Sequence, residues 1–140
     1  MSRTPLQLPD AFQFNINIAV RITDINYGNH LGNDKYLAYM QEARVCFFAQ
    51  WGYTEMDIEG ISVIMGDSVL VYKQEAYYGD ILTFEIAAGG FGKSSFDLFY
   101  RITHSETGTL ICEAKTGMVC YDYATHKTKE VPEKFSALFT

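Results

Sequence analysis

The chain has 140 residues, of which 48% are hydrophobic and 20% are charged, so it can form one domain with its own core and is too apolar to be disordered. Its formal net charge of −6 argues against nucleic acid or an anionic membrane surface as the main partner. No apolar run is long enough to span a bilayer, and the first residues lack the apolar stretch of a signal peptide.

The first predicted element is a strand over residues 12–23. Every second position from Phe12 to Ile22 is apolar and the intervening positions are mostly polar, a pattern typical of a strand with one buried face. Residues 1–11, which contain two prolines, are predicted to be an irregular lead-in. Residues 24–33 are rich in Gly and Asn and are predicted to form a loop.

A long helix is predicted to follow this loop. Asn33 is expected to cap its N-terminus, with Asp34 at the first helical position. Residues 35–51 contain no Gly or Pro, and Gly52 is expected to end the helix. Apolar side chains recur at spacings of three, four and seven, which indicates an amphipathic helix. This apolar stripe consists of Leu37, Met40, Phe47, Phe48 and Trp51.

Four further strands are predicted, joined by short turns, and a polar C-terminal tail covers residues 124–140. Consecutive strands with tight turns pair in an antiparallel sheet, and the helix must cover the apolar face of that sheet. The predicted fold class is therefore α+β, although periodicity alone does not distinguish among folds that combine one helix with a meander. The predicted strands are residues 62–74 with a bend at Gly66–Asp67, 81–88, 95–103 and 110–121.

Several motifs resemble the hotdog-fold acyl-CoA thioesterases, most closely the 4-hydroxybenzoyl-CoA thioesterase-like branch. Members of this family typically read D-x-D-x-x-G-H-V-N-N-x-x-Y-L, followed by E-A-R on the next helix. Residues 78–82 (YGDIL) and 92–96 (GKSSF) also resemble family motifs at the starts of two strands. The matching positions of the first motif are Asp24, His30, Asn33, Tyr36, Leu37 and Glu42-Ala43-Arg44.

The resemblance extends over about residues 12–123 and implies a hotdog fold, in which an antiparallel sheet of five to six strands wraps around one long helix. It implies a single thioesterase-like domain over residues 1–140, assembled as a homodimer or homotetramer. The implied reaction is hydrolysis of an acyl-CoA or acyl-carrier thioester to the free acid and the thiol. Coenzyme A enters as part of the substrate, and no metal or separate cofactor is expected.

The candidate catalytic residues are Asn26, His30 and Glu42. Many relatives carry a carboxylate where this chain has Asn26, and because an amide cannot act as a base, Asn26 is expected to position water or the thioester carbonyl. His30 is either a structural loop residue or a group that donates to the carbonyl or relays a proton. Glu42 is either an exposed helix residue or the base, as a helix carboxylate is in a second branch of hotdog thioesterases.

The candidate substrate-binding residues are of three kinds. The amides of Asn33 and Asp34 at the helix N-terminus would polarise the thioester carbonyl, although Asn33 as a simple cap is an equally open interpretation. Tyr36 is expected in the core or in the wall of an acyl pocket. The third kind consists of Lys93, Ser94 and Ser95. These residues either hold the phosphates and pantetheine of coenzyme A or form the solvated start of a strand.

Two other functions are alternatives to hydrolysis. Asn26 raises the alternative of a non-catalytic protein that binds acyl-CoA or an acyl carrier. A hotdog dehydratase is the less favoured alternative, because the residues of this chain do not match the hairpin with a histidine and an acid that is typical of those enzymes. The cysteines (Cys46, Cys112, Cys120) have no zinc-type spacing and are expected to be buried thiols. Free thiols indicate a reducing compartment, so the predicted location is cytoplasmic.

Overall fold

The computed structural model describes residues 6–140. Residues 6–13, which precede the first strand, form neither helix nor strand, and the part of the predicted lead-in over residues 1–5 lies outside the described residues. None of the helices in this part of the chain is both long and apolar enough to cross a membrane. The elements in chain order are β1 (Phe14–Ala19), α1 (Tyr36–Ala49), β2 (Ser62–Tyr72), β3 (Ile81–Gly89), β4 (Ser95–His104), β5 (Leu110–Asp122), β6 (Lys127–Thr128) and α2 (Glu133–Ser136).

The strands form one antiparallel sheet in the order β1-β3-β4-β5-β2, and the short β6 extends the end of β5 as a hairpin. The predicted α+β class and the four later strands are confirmed. The predicted bend in β2 is also confirmed, because the register shifts between Met65 and Asp67. Strands β1 and β2 are the two edges of the sheet, so each leaves one row of backbone groups unpaired within the chain.

The helix α1 packs on the apolar face of the curled sheet. Met40, Phe47 and Phe48 are fully buried, as the predicted stripe required, whereas Leu37 is 40% exposed. The prediction that Leu37 belongs to the buried stripe is wrong. The helix also carries apolar residues on its outer side, and spacing alone does not separate the two faces. The sheet residues buried in the same core include Phe84, Ile86, Phe96, Leu98, Tyr100 and Met118.

The first strand is shorter than its alternation predicts. It ends at Ala19, and a 3₁₀ turn over Ile22–Asp24 replaces its last residues. The turn breaks the alternation, so Ile22 is 64% exposed and Asp24 is buried. The prediction that Ile22 faces the core is therefore wrong, because alternation persists in the sequence beyond the point where the backbone leaves the sheet.

The two ends of the long helix differ in how well they were predicted. A 3₁₀ turn over Asn33–Lys35 precedes α1, Gly32 occupies the capping position, and no side chain caps the turn. The prediction of Asn33 as the N-cap is therefore wrong. At the other end, Gly52 has a φ of +78°, a left-handed conformation that favours glycine, and the predicted stop is confirmed.

The C-terminal tail closes one end of the core. The amide of Val131 donates a hydrogen bond to the carbonyl of Lys93 at 2.8 Å, and the amide of Lys129 donates one to the carbonyl of Cys120 at 2.9 Å. These bonds place α2 so that Phe135 is fully buried. Its ring contacts the rings of Phe48, Phe91, Phe96 and Phe139. The tail is therefore part of the hydrophobic core, a role that its polar composition hides.

Candidate active site

Asn26 organises the loop between β1 and α1 with its side chain. Its Oδ1 accepts hydrogen bonds from the amides of Gly28 at 2.9 Å and His30 at 3.4 Å. Its own amide donates to the carbonyl of His30 at 2.9 Å. A short polar side chain that bonds the backbone ahead of it is a common way to stabilise a tight turn. Asn26 thereby determines where His30 lies.

Asp24 links the same loop to the helix. Its buried carboxylate accepts hydrogen bonds from the Tyr39 hydroxyl, from Nε of Arg21 at 3.1 Å and from Oγ1 of Thr23 at 3.1 Å. The hydrogen bond from Tyr39 is the largest of the effects that lower the pKa of the Asp24 carboxyl, and Arg21 adds to it. These contacts make Asp24 a structural anchor of the loop.

Tyr39→Phe is expected to make the stability of the protein less dependent on acid pH. Because the pKa of Asp24 is lower in the folded chain, its contribution is present above pH of about 4 and is lost as the pH falls through the folded-state value. Without the Tyr39 hydroxyl, we expect a loss of about 1–2 kcal/mol at pH 7 and a smaller further loss below pH of about 4. Urea unfolding at neutral and acid pH measures the two losses of stability. Tyr27→Phe is the control, because the ring of Tyr27 is fully exposed. Identical pH profiles for Tyr39→Phe and the wild type would contradict this role.

A second segment, the residues that follow β2, lies against the loop. The amide of Leu31 donates to the carbonyl of Ala76 at 2.8 Å, which joins the two segments. The hydroxyl of Tyr72 donates to the carbonyl of Asn33 at 3.0 Å, which joins the end of β2 to the start of the helix. The loop, the helix N-terminus and this segment therefore form the walls of one site.

These walls enclose a cavity of about 400 Å³, here called cavity A. It is large enough for part of a small organic substrate, and it is lined by polar and aromatic side chains. The lining residues that bear on chemistry are Asn26, His30, Asn33, Tyr36, Tyr72 and Glu75. Tyr36 is buried, which raises the pKa of its hydroxyl, so it is a neutral donor at physiological pH.

A histidine and a carboxylate meet at the wall of cavity A. Nε2 of His30 lies 3.5 Å from Oε1 of Glu75, and Nδ1 of His30 lies 3.3 Å from the carbonyl oxygen of Leu31. The Tyr77 hydroxyl donates to Oε2 of Glu75 at 2.8 Å. Glu75 and His30 thus lie next to each other beside the cavity, and Tyr77 orients the carboxylate.

The N-terminus of the helical segment also opens at cavity A. Within residues 6–140, no hydrogen-bond acceptor is found for the amides of Asn33 and Asp34. Free amides at a helix start carry partial positive charge and bind a carbonyl oxygen or an anion. Asn33 is one of the residues that line the cavity, and Asp34 follows it in the chain.

Glu42 lies elsewhere in the single chain. It is on the exposed side of α1 and lines a separate cavity of about 350 Å³, cavity B, together with Arg21 and Tyr39. Its carboxylate contacts the thiol of Cys46 at 3.8 Å. Glu42 is six residues beyond Tyr36, about 9 Å along the helix axis. The structure of one chain therefore does not bring Glu42 together with Asn26 and His30, and its catalytic role stays a prediction.

Lys93 and Ser94 lie in the connection between β3 and β4, and Ser95 is the first residue of β4. The carbonyls of Lys93 and Ser94 accept bonds from Val131 and Cys120, and Nζ of Lys93 lies 3.9 Å from Glu130. They line neither cavity A nor cavity B, so their role toward coenzyme A also stays a prediction. Across residues 6–140, no three metal-binding side chains are grouped as a metal site would require.

Comparison with protein families provides the deciding observation: residues 20–139 match the thioesterase-like superfamily. The chain belongs to this superfamily. The prediction of a thioesterase-like protein is thereby confirmed, and thioester hydrolysis is the reaction that the family supports. Comparison with curated protein sequences finds no significant match.

Solved structures confirm the hotdog thioesterase fold of this thioesterase-like chain. A 1,4-dihydroxy-2-naphthoyl-CoA thioesterase from Synechocystis is similar with a TM-score of 0.81 and 17% identity, over 90% of this chain and 94% of the other. A candidate thioesterase from Pseudomonas aeruginosa has a TM-score of 0.84 and 23% identity over 93% and 100%. A DHNA-CoA thioesterase from Staphylococcus aureus has a TM-score of 0.77 and 19% identity over 89% and 84%.

Sequence reasoning missed the part of this thioesterase-like site that follows β2. Tyr72, Glu75 and Tyr77 were not singled out, although they lie in a run, YKQEAYY over residues 72–78, that has ionisable side chains and no glycine. Such a run after a buried strand was a usable signal. The sequence alone does not say which loop it faces, because the bond from Leu31 to Ala76 joins residues 45 positions apart.

Proposed function

We propose that this thioesterase-like chain hydrolyses an acyl-CoA thioester at cavity A. The observation that carries the proposal is the position of the two free amides, Asn33 and Asp34, at the edge of a cavity that also holds His30 and Glu75. A thioester carbonyl at the amides would accept two hydrogen bonds, which strengthen as negative charge develops on its oxygen during attack. The thioester is already activated, so the proposed reaction requires no metal.

The proposed step is attack of water on the thioester carbonyl carbon. A bond forms between the water oxygen and the carbon, the carbon–sulfur bond breaks, and the products are the free acid and the coenzyme A thiol. The Oδ1 of Asn26 is occupied by backbone amides, so its NH₂ group is the part available to hold water or the carbonyl. His30, positioned by Asn26, completes this wall of the site.

The acyl group is proposed to contact the tyrosines of cavity A. Tyr36 and Tyr72 pack edge to face with ring centroids 5.3 Å apart, and Tyr77 lies on the same wall. Aromatic rings provide flat apolar surface and retain a polar tip. Two of the similar solved structures are thioesterases of an aromatic acyl-CoA, which supports including aromatic acyl groups among the substrates tested.

Lys73→Ala is expected to raise KM for acyl-CoA about threefold to tenfold with little change in kcat. Lys73 lines cavity A, and its Nζ, 3.8 Å from Glu113, lies at the surface, so it can pair with a coenzyme A phosphate. An N-acetylcysteamine thioester, which has no phosphate, should show no change in KM. Lys93→Ala in parallel tests the corresponding prediction for Lys93, and a rise in KM for Lys93→Ala alone would assign phosphate binding to that residue instead.

We also propose a homodimer, or a homotetramer built from it, located in the cytoplasm. The free edge of β2 lies beside exposed apolar side chains that a second copy would cover: Val45, Met56 and Met65 are 51%, 62% and 39% exposed. The three free cysteines support a reducing compartment. Light scattering coupled to gel filtration measures the assembly, and a monomer at all concentrations would contradict the proposed homodimer.

The proposed activity is tested by thiol release from a panel of acyl-CoAs with aliphatic and aromatic acyl groups. Turnover of at least one member, above the rate without protein, is expected. Failure to hydrolyse any member, together with micromolar binding of acyl-CoA, would overturn the proposal and favour a non-catalytic binding protein. A panel of acyl-carrier thioesters in parallel decides between coenzyme A and a carrier protein as the thiol.

A further inference from the structure

We propose that Glu75 is the general base of the reaction, that Tyr77 orients it, and that His30 lies beside it to share the proton that it takes up. This inference rests on the proposed function. The carboxylate of Glu75 lines cavity A, and each of its oxygens has a different partner. His30 lies 3.5 Å from Oε1, and the Tyr77 hydroxyl donates to Oε2 at 2.8 Å. The hydrogen bond from Tyr77 orients the carboxylate, and the side chain of Glu75 is 57% exposed, so its other oxygen can reach water.

Among the described residues that line cavity A, Glu75 is the one carboxylate. Asn26, which occupies the position where related thioesterases carry an acid, has an amide that cannot accept a proton from water. Glu42 lines cavity B on the outer side of α1. Glu75 is distant from Asn26 in sequence, but it lines the same cavity, and from there a base can act on water in cavity A.

The ring of His30 connects Glu75 to the loop. Its Nδ1 lies 3.3 Å from the carbonyl oxygen of Leu31, which accepts a hydrogen bond from a protonated Nδ1. We assign this tautomer from the contacts. Nε2 of the neutral ring then carries no proton and lies 3.5 Å from Oε1 of Glu75, so the proton that Glu75 takes from water can lie between the two groups. His30 is a positioning residue in this scheme.

The Glu75 carboxylate removes one proton from water as the water oxygen bonds to the thioester carbon, and negative charge collects on the carbonyl oxygen at the amides of Asn33 and Asp34. The tetrahedral intermediate then collapses, the carbon–sulfur bond breaks, and its electron pair leaves with sulfur. The proton held by Glu75 passes to the thiolate, which regenerates the carboxylate.

The test is steady-state kinetics with the best acyl-CoA of the panel. Glu75→Gln is expected to lower kcat about 1000-fold, within the range of lost general-base catalysis, with KM changed less than about threefold. Tyr77→Phe, which keeps the carboxylate but removes its hydrogen bond, should lower kcat only about threefold to tenfold. Glu106→Gln, an exposed carboxylate in the turn between β4 and β5, is the matched control and should equal the wild type.

Chemical rescue separates a base from a structural residue. Added formate should restore part of the kcat of Glu75→Ala in proportion to its concentration, and it should not change the rate of Glu106→Gln. Wild-type activity in Glu75→Gln would overturn the inference, as would loss of turnover in Glu42→Gln with Glu75→Gln still active. In both cases hydrolysis itself would stand. A wild type that hydrolyses no thioester would overturn the proposed function and the role of Glu75 together.

Discussion

Asn26→Ala is expected to lower kcat/KM for acyl-CoA about 100-fold while the fold remains intact. The methyl group cannot accept the hydrogen bonds that the amides of Gly28 and His30 donate to Oδ1. The loop then relaxes and His30 moves away from Glu75, and a misplacement of about 1 Å in a catalytic constellation can cost about 100-fold in rate. Circular dichroism and thermal unfolding verify the fold, and acyl-CoA kinetics measure the loss.

Two substitutions control this prediction. Asn26→Asp keeps an oxygen where Oδ1 accepts its bonds, so it should preserve the loop and retain kcat/KM within about tenfold. Asn29→Gly acts in the same loop at a residue whose φ is +67°, a conformation that glycine adopts without strain, and should match the wild type. Unchanged kinetics in Asn26→Ala would show that the loop is held by other contacts and that Asn26 has no positioning role.

Glu55→Ala is expected to lower the free energy of unfolding by about 3 kcal/mol. Glu55 accepts a hydrogen bond from Nε of Arg44 at 2.9 Å, and the Arg44 side chain is only 5% exposed. Without Glu55, the guanidinium remains buried with the neutral hydroxyl of Tyr100, 3.1 Å from Nη1, as its partner. Leaving a buried charge unpaired typically costs about 3–5 kcal/mol, and the 25% exposure of Glu55 places this case at the lower end.

A double substitution shows whether the cost comes from the unpaired charge. Arg44→Leu with Glu55→Leu removes both charges, and the Tyr100 hydroxyl keeps Thr116 as a partner at 2.8 Å. The double variant should therefore be more stable than Glu55→Ala. Glu85→Ala breaks the more exposed pair with Arg101 and should cost about 1 kcal/mol or less. Equal small losses for Glu55→Ala and Glu85→Ala in urea unfolding would show that the buried pair is screened by water.

The elements that the sequence predicted well are those that are determined by patterns within one short segment of the chain. Alternation over about ten residues identified β3, β4 and β5, and glycine marked the end of α1 at Gly52, which has a φ of +78°. Each of these features depends on the backbone preferences or on the two faces of a single segment. The motif residues Asn26, His30, Asn33 and Tyr36 also line one cavity together, because they lie within eleven consecutive positions.

The rest was decided by contacts between segments that are distant in the chain. The inward turn of Asp24 depends on the hydroxyl of Tyr39, and neither local pattern nor composition indicates that pair. Likewise, spacing placed Glu42 on the right helix, but only the packing of α1 shows that its side chain faces outward.

The sequence by itself determined the α+β class, the long helix and the motif that identifies a thioesterase-like protein. Only the tertiary structure placed Glu75 beside His30. That contact exists because the sheet order makes β2 an edge strand and because the amide of Leu31 bonds to the carbonyl of Ala76, which brings the end of β2 to the start of the helix. Periodicity records which face of a segment is buried, whereas a site made of two segments depends on which segments meet, and that is determined by the packing of the whole chain.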